Sequence, residues 1–144
     1  MKILRNILAF LGGVAIGGLV NMTVLTLGSM LIPPPQGIDV SDVESISAGI
    51  HLFQPKHFIA PFAAHALGTF VGSLAAYLIA ASHKVLCAYL VGIFTLIGGI
   101  AAAAMIPAPT WFIALDLVAA YVPMAALAVL VGRQIMSGRQ QPAV

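Results

Sequence analysis

With 144 residues, 61% of them hydrophobic and 7% charged, and a mean hydropathy of +1.09, the chain lies outside the composition of water-soluble domains. A bilayer-spanning helix takes about 20 mainly apolar residues, so the expectation is one membrane domain of four spans with short connections. The formal charge of +2 rests on six basic and four acidic residues, too few for a nucleic-acid-binding surface. The single cysteine, Cys87, excludes an intrachain disulfide, CxxC redox chemistry and a thiolate zinc site, and reads as a small, inert, buried side chain.

Lys2 and Arg5 precede an apolar run from Ile7 to Ile32. That run is too long for a signal peptide and lacks an A-x-A pattern near its end, so it is expected as a retained span, residues 4–32. Pro33-Pro34-Pro35 stops it, because three successive amide donors are missing. The loop 33–57 follows. Within it, Ser41-Asp42-Val43-Glu44 has capping-box spacing, and Val43, Ile46, Ile50 and Phe53 then recur at helical spacing. These predict a short helix from Asp42 to about Phe53, lying on the outer membrane surface or folded onto the bundle. The second span is expected at 58–81, followed by the polar pair His83-Lys84. The third occupies 85–106 and ends at Pro107-Ala108-Pro109. The fourth runs over 110–131, with a short polar tail from Gly132. The fold class is therefore all-α: a polytopic membrane protein of four transmembrane helices plus a short outer-surface helix.

Lysine and arginine are retained on the cytoplasmic side of spans. Lys2, Arg5, Lys84, Arg133 and Arg139 all fall on one side of a four-span model, which places both termini in the cytoplasm. The opposite side carries Asp39, Asp42, Glu44 and Lys56. Trp111 suits an interfacial anchor at the outer end of the fourth span. Gly13 and Gly17 in the first span, and Gly68 and Gly72 in the second, form GxxxG patterns that permit close backbone approach, within the chain or between subunits.

Asp116 is the most informative residue, because a carboxylate inside an apolar span is costly in lipid and turns toward protein or water. A rise of 1.5 Å per residue from Thr110 places it roughly 9 Å below the outer boundary, and His65 lies roughly 10 Å deep if its helix begins near Phe58. His65 shares a face with Gly68, Gly72 and Ala76, so it should point at a neighbouring helix and meet Asp116, each holding the other's protonation state. Asn21, Thr23 and Thr26 in the first span, Thr69 in the second, Thr95 in the third and Tyr121 in the fourth approach the same level. Pro123 removes a hydrogen bond to the Ala119 carbonyl and can kink the fourth helix. The candidate ligand-binding set is thus Asp116, His65, Asn21, Thr26, Thr69, Thr95 and Tyr121, around a small polar cavity opening outward. The bland reading makes Asp116, His65 and Asn21 interhelical fasteners, each bond contributing about 0.6 kcal/mol.

No catalytic or metal-binding set emerges, and no cofactor is expected. GxSxG, HExxH, P-loop and CxxCH patterns are absent, a single intramembrane histidine argues against bis-histidine haem, and His51 and His57, six apart around Pro55, do not have metal-ligand spacing. The runs Ile32-Pro33-Pro34-Pro35, His51-Leu52-Phe53-Gln54-Pro55-Lys56-His57, His65-Ala66-Leu67-Gly68-Thr69 and Trp111-Phe112-Ile113-Ala114-Leu115-Asp116 resemble those of small four-span bacterial membrane proteins. The resemblance implies a bacterial inner-membrane location and brings no activity. The small fluoride channels are similar in length and span count, but their TTFSTF segment is absent here.

Two functions compete. One is transport or permeation of a proton, cation or small polar solute through the intramembrane polar site, by an oligomer. The other is a noncatalytic subunit or assembly factor of a larger membrane complex, contacting other subunits through its glycines and outer loop. An intramembrane enzyme or quinone-binding accessory is a third. The bilayer is the one partner that all of them require.

Overall fold

The structure, a computed structural model, describes residues 1–138, so Arg139 lies outside the described residues. All regular elements there are helical. Helix α1 spans Lys2–Leu31, α2 Val43–Gly49, α3 Ile59–Ile79, α4 Lys84–Met105, α5 Thr110–Ala119 and α6 Val122–Gly138. Two 3-10 turns, Ile50–Leu52 and Pro55–Phe58, join α2 to α3. Four helical stretches are long and apolar enough to cross a membrane: Lys2–Leu31, Pro55–Ile79, Lys84–Met105 and Thr110–Gly138. The molecule is accordingly a four-span helical bundle, with the loop 33–57 at one end (the loop end) and the α3–α4 connection at the other (the turn end).

Helix α3 is the centre of the bundle, packing on α1, α4 and α6, while α1 lies against α3 and α4. The α1–α3 contact is built from the two GxxxG patterns facing each other. A Cβ on Gly13 would lie 2.6 Å from the Gly72 carbonyl oxygen, and one on Gly17 2.6 Å from that of Gly68. Only hydrogen fits there, and the small-residue face lets the backbones touch. The glycines are therefore used within the chain. Toward the turn end the seam continues through Ala9, Ala76, Ala80, Cys87 and Val91, all buried, with Phe10 and Val14 against them. Cys87 is the small buried side chain expected.

At the turn end, three residues close the carboxyl terminus of α3, where carbonyls lack intrahelical partners. Arg5 Nε donates to the Ile79 carbonyl at 2.8 Å, and Lys84 Nζ to the Ala80 carbonyl at 2.7 Å. Both cations also suit the negative end of the helix dipole. Asn6 Oδ1 accepts from the amides of Ala81 (3.0 Å) and Ser82 (3.2 Å), while its Nδ2 donates to Ser82 Oγ at 3.0 Å. His83 turns the chain through the left-handed region at φ +49°.

The loop end differs from expectation in its cap. Asp42, not Ser41, caps α2, accepting from the Glu44 amide at 3.0 Å. Ser41 is drawn away by Asp39, donating to Oδ1 from its hydroxyl (2.6 Å) and its amide (2.8 Å). The expected Asp42–Phe53 helix is observed as α2 plus a 3-10 turn, ending at Leu52. Phe53, Phe58, Trp111 and Phe112 form an aromatic cluster here, with Phe58 and Phe112 centroids 4.7 Å apart and Phe58 and Trp111 5.7 Å apart.

The fourth span is not one helix. Pro123 has no N–H for the Ala119 carbonyl, and the chain breaks at Ala120–Tyr121 between α5 and α6. The ladder resumes with the Ala125 amide donating to the Tyr121 carbonyl at 2.9 Å. Helix α6 then continues through the tail expected from Gly132, to Gly138. Hydropathy marks where a helix leaves lipid, whereas helical hydrogen bonding continues through polar residues such as Arg133 and Gln134.

Candidate functional site

The site lies in the loop-end half of the bundle, where α3 and α5 each carry one ionisable side chain six residues beyond their first residue. Equal rise places both at one depth, and the side chains meet. His65 Nδ1 lies 2.9 Å from Asp116 Oδ1 and 3.0 Å from Oδ2. Tyr121, at the break between α5 and α6, donates from its hydroxyl to Asp116 Oδ2 at 2.8 Å and lies 3.0 Å from His65 Nδ1. The Tyr121 and His65 rings stack, with centroids 5.7 Å apart and planes at 29°.

One arrangement of hydrogens satisfies these contacts. His65 Nδ1–H donates to the carboxylate and Tyr121 O–H donates to Oδ2, so Asp116 accepts from both. Asp116 is 5% exposed and Tyr121 2%, which would be unfavourable for either group without a partner. The His65 side chain keeps 24% of its surface exposed. Its contacts all run through Nδ1, and Nε2 makes no hydrogen bond with the described residues. His65 also borders open space.

That space consists of two cavities that share His65, Gly99 and Ala102 in their walls. The first, about 250 Å³, reaches from Asp116 and His65 to the loop end. Its walls are mainly apolar, including Leu25 of α1, Ile46 and Phe53 of the loop, Phe58, and Phe112 and Ile113 of α5. Ser29 and His57 also line it. The second, about 320 Å³, lies between α1, α3 and α4 and is lined by Gly17, Asn21, Thr69, Thr95 and Tyr121 among others. In the wall of the second cavity, Thr69 donates to Thr95 at 3.1 Å, and Thr95 bonds back to the carbonyls of Val91 and Gly92 at 3.0 Å.

Six of the seven candidate residues thus surround one location: Asp116, His65 and Tyr121 are joined, and Thr69, Thr95 and Asn21 line the second cavity. The buried Asn21 Oδ1 has no hydrogen-bond partner in the protein, so the fastener reading finds no bond for it. Thr26 is the correction. It is exposed on the outer face of α1 and donates to its own helix, to the Met22 carbonyl at 2.8 Å. Depth alone did not reveal its direction around the helix. Thr23 behaves alike, bonding the Leu19 carbonyl.

Gly99 was not anticipated. A Cβ there would collide with the Tyr121 hydroxyl, so the missing side chain is what admits the tyrosine. The adjacent glycines Gly98-Gly99 in an apolar helix were the available signal. The apolar cavity was also missed, because its outer wall is made by the loop.

At the surface of this end, the Ser41 side-chain hydrogen bond, followed by its amide, holds the Asp39 carboxyl below the usual carboxylate range. Among the described residues, no three His, Cys, Asp or Glu side chains converge as a metal site. The chain matches no protein-family model, no curated protein and no solved structure.

Proposed function

We propose that this chain is a small carrier of a bacterial inner membrane that takes a proton, or a cation or small polar solute exchanging with it, into the Asp116 site from the outer side. The observation supporting this most directly is a nearly fully buried carboxylate, held by His65 and Tyr121, at the floor of a cavity. A fastener would be sealed on all sides. Here the histidine that holds the carboxylate is also the wall between two cavities, with a ring nitrogen left to exchange protons.

The chemistry is a relay. A proton arriving at His65 Nε2 makes an imidazolium whose Nδ1–H already points at Asp116, so charge entering the site is neutralised where it lands. Toward the turn end, α1, α3 and α4 close on glycine, alanine and valine. That favours a carrier over an open pore, with the α5–α6 break near mid-span as the element able to change direction.

In liposomes containing the purified protein, a proton gradient read by a trapped pH dye should collapse faster than in empty liposomes, and Asp116→Asn should lower that rate at least tenfold. Equal rates for wild type, Asp116→Asn and Asp116→Ala would remove Asp116 from any transport role. The orientation rests on Lys2, Arg5, Lys84 and Arg133 sharing the turn end. A cysteine at Ser45, in a Cys87→Ser background, should react with an impermeant maleimide on intact cells. Reaction only after lysis would reverse the assignment.

A further inference from the structure

The carrier reading leaves the ligand open, and the shape and charge of the cavity narrow it. We infer that the 250 Å³ cavity takes a small organic monocation, a primary ammonium group on an apolar or aromatic body, with the ammonium on Asp116 and the body among Phe58, Phe112 and Ile113. This rests on the Asp116 site described above and specifies its substrate class.

Four observations favour it. The floor is a carboxylate, and neither lysine nor arginine lines the cavity. An anion would therefore meet the carboxylate with only His65 beside it, its Nδ1 already turned to Asp116, in a low-dielectric setting where like charges are strongly disfavoured. Apart from Ser29, His57 and His65 the walls are apolar and aromatic, so a solute polar on all sides would lose its water for few replacement hydrogen bonds. A bare metal cation would find the two oxygens of Asp116 and few others, where hard cations take six or more. An ammonium group instead offers three donors. The carboxylate has about four lone-pair positions, of which His65 and Tyr121 use two.

Size and surroundings agree. An apolar cavity of about 150 Å³ holds benzene, so about 250 Å³ admits one ring with a short aminoalkyl arm. Phe58 and Phe112, 4.7 Å apart at one wall, supply aromatic surface suited to an apolar or aromatic body. Outside, the loop carries Asp39, Asp42 and Glu44 against Lys56 alone, so this end of the molecule is net acidic, which favours the approach of cations.

Trp111 provides the readout, being the only tryptophan and packed at 5.7 Å on Phe58 and 5.9 Å on Phe112. Purified protein in detergent micelles is titrated with 2-phenylethylammonium, 2-phenylethanol and 3-phenylpropanoate while Trp111 emission is followed. The ammonium compound should produce a saturable change, with the alcohol and the carboxylate at least tenfold weaker. Asp116→Asn should weaken the ammonium at least tenfold. Comparable affinity for all three compounds in the wild-type protein overturns the proposal even if the variant does not fold, as does undiminished binding in a folded Asp116→Asn. Asp116-dependent proton flux without selective ammonium binding discards the substrate class and leaves the carrier standing. Selective binding without flux retains the cation site and discards the carrier.

Discussion

The two halves of this bundle are made from the same four spans and similar apolar residues, yet they pack in opposite ways. Toward the turn end, Gly13 and Gly72 bring backbones into contact and Ala9, Ala76 and Val91 fill what remains, while Gly17 and Gly68 carry the α1–α3 contact to the edge of the second cavity. At the loop end α1 still meets α3 at Gly28 and Ala60, but α4 presents Gly99, Ala102 and Ala103, and the space beside them holds a polar network and two cavities. Small residues thus seal the α1–α3 seam in one half and leave room beside α4 in the other, where His65, Tyr121 and Asp116 meet. In lipid the hydrophobic effect does not press helices together, so local contact distance has this controlling role.

The comparison is best broken at the seam. Gly72→Ala places a Cβ 2.6 Å from the Gly13 carbonyl oxygen and 3.1 Å from the Gly17 Cα. Backbone must move, and the bundle should lose about 2 to 3 kcal/mol, measured by denaturant unfolding in micelles. A neutral result would mean that the sealed half is looser than described.

The polar half should show a smaller, pairwise energy. His65→Ala should destabilise the bundle more with Asp116 present than in an Asp116→Ala background. The expected coupling is roughly 0.5 to 2 kcal/mol in a double-mutant cycle. Zero coupling would leave the two groups as neighbours without an energetic bond.

The smallest effect sharpens the contrast within one helix. Gly18 is adjacent to Gly17 but exposed at the edge of the second cavity, with nothing within 4 Å of an added Cβ. Gly18→Ala should therefore stay within about 0.5 kcal/mol of wild type, tending to stabilise because alanine favours helix. A loss equal to that of Gly72→Ala would place an unrecognised contact on that face.

Much of this was legible in the sequence because bilayer crossing imposes length and depth. Apolar runs locate the spans, prolines their ends, and the 1.5 Å rise puts His65 and Asp116 at one level. Pro123 marked the break in the fourth span. Direction around each helix was less accessible: Thr26 shares the depth of the site but faces away from it. The loop was harder still. Ser41 bonds to Asp39 and leaves the cap to Asp42, and the spacing of Val43, Ile46, Ile50 and Phe53 left open whether that face lies on the membrane or folds onto the bundle, where Ile46, Ile50 and Phe53 form the cavity wall. The close approach of Tyr121 to Gly99 joins the α5–α6 break to α4 across 22 positions, and the Gly98-Gly99 pair alone does not say which side chain it admits.

That approach makes the two positions one heritable unit. A side chain at residue 99 and a tyrosine at residue 121 claim the same volume, so in diverging copies of this gene they should not vary independently. A lineage that acquires alanine or serine at 99 is expected to surrender the tyrosine, and with it the second donor to the buried carboxylate. The presence of glycine at 99 is then a readable marker of which descendants keep the complete triad.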